Sequence, residues 1–278
     1  YKSILSIASL AFLMSCGDST TETPETPDST AVETENEVAY EEGVLKGTKF
    51  TLRALKDSPT FPETKLSITA PESGTVLEKG TVDFQFTVEG GDYTLGSQTE
   101  DAETKSCANS GKGQHIHLIV DNTPYEASYK TEHTTKAEFE EGNHVALAFI
   151  SRSYHESLKH EGAFAITQFQ VGEEKIQDPI DLEAPHLFYS RPKGSYNISE
   201  AGKIFLDFYL VNTTIADGGN YVLATIDGEQ FKITSWEPFV IEGLEVGEHT
   251  VKIELYDKEG NFIEGPFNAE ERTFTVAN

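Results

Sequence analysis

One stretch of the sequence concentrates its chemistry. In GKGQHIHLIVDNTPY, Gly111 to Tyr125, two histidines stand two residues apart in a run of β-forming residues. Side chains two apart in a strand point the same way, roughly 6.5 Å apart along the chain. His115 and His117 therefore share one face, and Ile116, Leu118 and Val120 share the other. Neutral imidazole is the commonest side-chain ligand of transition metals, and two or three of them from adjacent strands can meet a copper or zinc ion.

Six of the eight histidines fall between His115 and His160: His115, His117, His133, His144, His155 and His160. The candidate ligand set is the His115 and His117 pair, helped by one of His133, His144 or His155, with Cys107 as an extra soft donor. The same residues have plainer readings. The pair could be a polar outer sheet face, and the loop histidines His133, His155 and His160 could be solvated. His144 has a counterpart, His249, in a region without the pair, so its G-x-H context also fits a feature of strand starts.

The elements that must position these residues are strands. In FTLRAL (Phe50 to Leu55), KLSI (Lys65 to Ile68) and VDFQFTV (Val82 to Val88), apolar residues alternate with polar ones between Gly and Pro, the pattern of half-buried strands. Helical spacing is sustained nowhere. A second set repeats the first: Val82, Phe84, Phe86 and Val88 follow Gly80 as Ile204, Leu206, Phe208 and Leu210 follow Gly202. HLIVDNTPY likewise matches LATIDGEQF (Leu223 to Phe231), and EGNHVALAF matches VGEHTVKIEL (Val246 to Leu255). The expected fold is all-β, two tandem immunoglobulin-like antiparallel sandwiches, at 44–172 and 187–278, joined by a linker at 173–186.

The two copies differ where the chemistry is. The first has 41 residues from Gly80 to Asp121 and the second 25 from Gly202 to Asp227. The excess lies in a polar loop that carries Cys107 and leads into the histidine strand, and loops of that length inside compact domains are often functional. The second copy has Tyr221 and Leu223 in place of the histidine pair. SWEPF holds the only tryptophan, Trp236, read as buried between sheets rather than as an exposed sugar or partner platform.

Composition narrows the partners. With 47 acidic against 21 basic side chains the formal charge is −26, which excludes nucleic acid and disfavours other polyanions. No G-x-S-x-G elbow, H-E-x-x-H or phosphate-cradling Gly loop occurs. The Glu138, Glu140 and Glu141 cluster lacks the spacing of an EF-hand and reads as surface charge.

The first sixteen residues, YKSILSIASLAFLMSC, carry Lys2, an apolar run from Ile4 to Met14, and Leu13-Met14-Ser15-Cys16. This resembles a bacterial lipoprotein signal with its lipobox, which implies cleavage before Cys16 and lipidation of that residue. Residues 17–43, rich in Ser, Thr, Pro and acids without Lys or Arg, read as a disordered acidic tether. With Cys16 in the anchor, Cys107 has no partner for an intramolecular disulfide. The expected place is the cell envelope, at the outer membrane or cell surface, with the folded part outside the cytoplasm.

The G-x-H-x-H strand resembles the copper-ligand strand of Cu,Zn superoxide dismutases, where it implies His115 and His117 as ligands. The dismutase zinc cluster, disulfide and active-site arginine have no counterpart, so the likeness does not extend to that activity. Gln114 to Asp121, then Asn143-His144, then His155, also resembles small exported domains with an H-x-H-L-L-I-D strand, over residues 110–171, in which metal binding is implied. Chains of this kind are sometimes described as phosphopeptide-binding, but no Arg cluster suited to phosphate is present. The expected function is a non-catalytic, lipid-anchored binding or assembly protein with a copper or zinc site. The alternative is an adhesive or scaffold lipoprotein with an envelope protein or glycan partner; copper-dependent redox catalysis is a third, weaker reading.

Overall fold

The computed structural model describes residues 41–105, 108–172 and 179–278. Cys16, Cys107, the signal and nearly all of the tether lie outside them. The described residues cluster as one compact unit, and no helix among them is long and apolar enough to cross a membrane.

The described residues open with a hairpin of β1 (Val44–Lys46) and β2 (Thr51–Ala54). The first sandwich follows, with β3 (Lys65–Ala70), β4 (Val76–Leu77), β5 (Asp83–Glu89), β6 (His115–Val120), β7 (Glu126–Ser128), β8 (Glu132–Thr134), β9 (Gly142–Ser151) and β10 (Phe164–Val171). The second contains β11 (His186–Arg191), β12 (Gly194–Asn197), β13 (Phe205–Val211), β14 (Tyr221–Ile226), β15 (Glu229–Ile233), β16 (Phe239–Glu242), β17 (Gly247–Tyr256) and β18 (Ala269–Ala277). The first sandwich has sheets β4-β10-β9-β6-β7 and β3-β5-β8; the second has β12-β18-β17-β14-β15 and β1-β2-β16-β13-β11. Matching strand orders in the five-stranded sheets bear out the tandem immunoglobulin-like arrangement.

Alternation builds each core. Phe84 and Phe86 of β5 face Ile116 and Leu118 of β6 and Ala146 and Ala148 of β9, while Leu206 and Phe208 of β13 face Val222 of β14 and Val251 and Ile253 of β17. The hairpin β1-β2 departs from its expected place in the first sandwich. β2 pairs with β16, Leu52 opposite Ile241, and Leu52 is fully buried in the second core. The Glu229 carboxylate fastens the turn by accepting the Lys49 and Phe50 amides at 3.1 and 3.0 Å.

Four strands, β6, β9, β11 and β13, are buried on both faces rather than one. Their outer faces pack against each other across the two sandwiches, with Ile119, Val145, Leu147 and Phe149 meeting Phe188, Tyr209 and Val211. Phe149 and Tyr209 stack at 4.5 Å. Beside them Lys159, from the β9–β10 connection, gives its ammonium to Asp207 Oδ1 of β13 at 2.7 Å. Trp236 is half-buried at this junction, its Nε1 donating to Phe208 O at 3.0 Å, rather than lying between the sheets of one sandwich.

Candidate metal centre

The β6 side chains divide as alternation requires: Ile116, Leu118 and Val120 enter the core, and His115 and His117 point to the other face. That face is not solvated. Both histidines are 0% exposed, roofed by Tyr125, whose ring stacks on His117 at 3.6 Å and 9°, by Tyr129 against His115 at 4.9 Å, and by Phe149 against His117 at 5.1 Å. The long loop completes the enclosure, with Ser110 Oγ and Tyr129 Oη 2.9 Å apart.

A third imidazole arrives from the turn after β9. His155 Nδ1 lies 3.1 Å from His115 Nε2, His117 Nε2 lies 2.9 Å from the same atom, and the three ligand atoms fall within 4.8 Å of one another. The Nδ1–H of His115 donates to Gly113 O at 2.8 Å, which fixes its tautomer and leaves its Nε2 with a lone pair directed at the other two rings. Three nitrogens around one ion at 2.0–2.1 Å would stand roughly 3.3–3.5 Å apart, close to the two separations at His115 Nε2, while the third pair, bounded by 4.8 Å, is the one an ion would draw in. Nδ1 of His117 has no hydrogen-bond partner, so no protonation pattern of neutral rings satisfies all three.

The backbone at His155 is itself unusual. Its φ is +68°, the left-handed region that costs a non-glycine residue roughly 1–2 kcal/mol. The turn is closed by Arg152 N to Glu156 O at 2.8 Å and His155 N to Arg152 O at 3.0 Å. The second sandwich builds the same turn, with Asp257 N to Asn261 O at 2.9 Å and Gly260 N to Asp257 O at 3.1 Å, and there the left-handed residue is Gly260, φ +86°. β-Sheet register likewise equates His115 with Tyr221, since they oppose Ser151 and Tyr256, and therefore His117 with Leu223. The first sandwich thus differs from the second at three converging positions, each occupied by histidine, one of them against backbone preference.

Burial keeps the rings neutral. His115 is pushed down to about 4, first by burial and then by Arg191 and Lys193. His117 and His155 are driven down by burial first as well. Above about pH 6.5 the metal-free fold carries no penalty from His115; as pH falls the unfolded chain takes up the proton first, and stability is lost progressively toward pH 4. For this one fully buried group the loss reaches about 3 kcal/mol at pH 4. The urea midpoint of metal-free protein should therefore fall between pH 6.5 and 4, and fall less in His115→Tyr/His117→Leu, which carries the second sandwich's non-titrating pattern. Equal slopes in the two proteins would refute the assignment.

The other expected ligands are elsewhere. His144 uses both ring nitrogens, Nδ1 with Asp121 Oδ2 at 2.5 Å and Nε2 with Glu140 O at 2.9 Å. His249 makes the same two contacts with Asp227 and Glu245 O, so the G-x-H histidine ties a strand start to the end of the strand it pairs with in both copies and is not part of the triad. His133 pairs with Glu126 at 2.9 Å, outside the cluster. Cys107 lies outside the described residues. Two cations escaped the sequence reading: Arg191 donates to the Tyr125 hydroxyl through Nη2, and Lys193 Nζ sits 3.6 Å above the Tyr125 ring. Both come from the second sandwich, and no local pattern marks them.

No protein-family model matches the chain, and no curated protein matches it in sequence. Among solved structures it is similar to the Clostridium thermocellum CbhA fibronectin(III)-like modules, at 13% identity and TM-score 0.25 over 76% of this chain and 94% of that one. It is also similar to Bacteroides ovatus SGBP-B of a mixed-linkage glucan utilization locus, in complex with a heptasaccharide, at 11% identity and TM-score 0.21 over 76% and 47%. A Corynebacterium diphtheriae protein described as membrane anchored gives 13% identity and TM-score 0.24 over 77% and 59%. The chain spans only part of the length of the last two. Scores this low leave the fold to be read from strand order itself.

Proposed function

We infer that the protein is a lipid-anchored, exported binding protein of the cell envelope, without catalysis, whose first sandwich holds a copper or zinc ion through His115, His117 and His155. The observation that carries the metal is the concerted replacement of Tyr221, Leu223 and Gly260 by three histidines whose ring nitrogens meet. Membrane attachment through Cys16 is supported by the Leu13-Met14-Ser15-Cys16 sequence and the acidic stretch behind it. The absence of any catalytic sequence pattern supports binding rather than turnover.

Metal analysis and titration of the purified protein test this reading. One ion per chain is expected, and His155→Gly should weaken binding about a hundredfold through the loss of one ligand. Its thermal midpoint should not fall, because Gly260 occupies the equivalent turn. Unchanged binding in that variant would remove His155 from the ligand set. Absence of stoichiometric metal in the parent protein would turn the search to a protein or glycan partner.

A further inference from the structure

We propose that the triad is built for a monovalent ion, cuprous copper, in preference to divalent zinc or copper. This rests on the metal site inferred above and adds the charge of the ion it selects.

The first ground is the donor set. Three neutral imidazoles meet, and among the described residues no carboxylate or thiolate joins them. A divalent ion placed there would keep its full double charge, since the protein supplies no anionic ligand. Divalent zinc held by three protein ligands ordinarily completes its shell with a water or substrate oxygen. A cuprous ion, with a filled d shell, accepts two or three nitrogen donors and needs no fourth.

The second ground is the field. In a chain of net charge −26, the formal charges nearest the triad are positive. Tyr125 stacks on His117 at 3.6 Å; on its far side Lys193 Nζ sits 3.6 Å from the ring centroid and donates to Tyr125 O at 2.6 Å. Arg191 holds the Tyr125 hydroxyl, its other contact being the Tyr196 hydroxyl at 3.4 Å, and no carboxylate lies within ion-pair distance of it or of Lys193 among the described residues. The second sandwich therefore places two cations over a site whose two strand histidines are fully buried. Repulsion of the bound ion scales with its charge, and burial reduces the screening that would hide it. A divalent ion feels twice what a monovalent ion feels.

The doubling gives a test that a merely structural role for Lys193 would not mimic. Lys193→Met keeps the length of the stem and removes the charge, with Lys193→Gln as a second variant should the first fold poorly. Affinities of the purified full chain are measured at pH 7 by anaerobic Cu(I) competition against bicinchoninate and by Zn(II) competition against a chromophoric chelator. The parent protein should bind one Cu(I) and hold it more tightly than Zn(II). Loss of the lysine charge should tighten both ions and Zn(II) the more, up to about tenfold at pH 7, because an ammonium whose pKa is already held down to about 8 escapes stronger repulsion by releasing its proton. Zinc bound as tightly as cuprous ion in the parent would overturn the preference while leaving the metal site standing, and equal shifts for the two ions would overturn the role given to the cations. Binding of neither ion would sink the site reading, and this inference with it.

Discussion

Replacing His115 and His117 together by alanine is expected to weaken copper or zinc binding by about four orders of magnitude. A structural zinc ion contributes roughly 12 kcal/mol shared among four ligands, so each ligand is worth roughly 3 kcal/mol, about a hundredfold in affinity, and two are lost. The geometry makes these two the heart of the site. His115 Nε2 is the atom that both other rings approach, at 2.9 and 3.1 Å, and its tautomer is held by Gly113 O. A useful companion is His115→Tyr/His117→Leu, which installs the second sandwich's residues and removes the metal without opening a cavity. Competition titration reads both variants, and a double variant that binds within tenfold of the parent protein would place the metal elsewhere.

The second large effect concerns the junction that roofs the site. Asp207→Ala is expected to destabilise the protein by about 3–5 kcal/mol, the usual result of removing one partner from a buried ion pair. Asp207 is 0% exposed; it takes the Lys159 ammonium at 2.7 Å and the Ser157 hydroxyl at 2.9 Å, both from the first sandwich. Without it the buried ammonium keeps hydrogen bonds to Ser157 Oγ and Phe208 O and the faces of nearby aromatic rings but no opposite charge in ion-pair contact, while burial already lowers its pKa. Lys159→Met/Asp207→Leu removes both charges and should recover most of the loss, because an apolar pair fills the same space without an orphaned ion. Urea unfolding separates the cases. A parent-like midpoint in Asp207→Ala would mean that the apolar cluster and the other polar ties between the sandwiches hold the docking without this ion pair.

Much of the architecture is legible in residue patterns because each sandwich repeats the same local rules. Alternation in VDFQFTV, the Gly before it and the Asp ending the next matched strand recur in both copies, and the strands pair accordingly. The hairpin at 44–54 shows the limit. FTLRAL announces a half-buried strand, but period-two alternation says nothing of which sheet it joins, and β2 pairs with β16 nearly 190 residues away. The docking of the sandwiches leaves a fainter trace: VALAFI in β9 and FLDFYLV in β13 are apolar on nearly every residue, as strands covered on both sides must be.

The site was half legible. An H-x-H in a strand guarantees a shared face, whereas His155 required knowing that its turn folds back over β6. Its signal lies in the repeat comparison, since a histidine aligned with Gly260 in a left-handed turn is a residue out of place. His144 misled because its repeat partner His249, read correctly, already pointed to a structural role. Arg191 and Lys193 belong to the other sandwich and reach the site only through the docked face.

X-ray absorption at the metal edge of the loaded protein tests the central claim most directly. The expected result is a first shell of three nitrogens at roughly 2.0 Å, with the outer-shell pattern of imidazole rings, which disappears in His115→Ala/His117→Ala. A shell dominated by oxygen or sulfur, or one unchanged in that variant, would contradict a metal held by His115, His117 and His155.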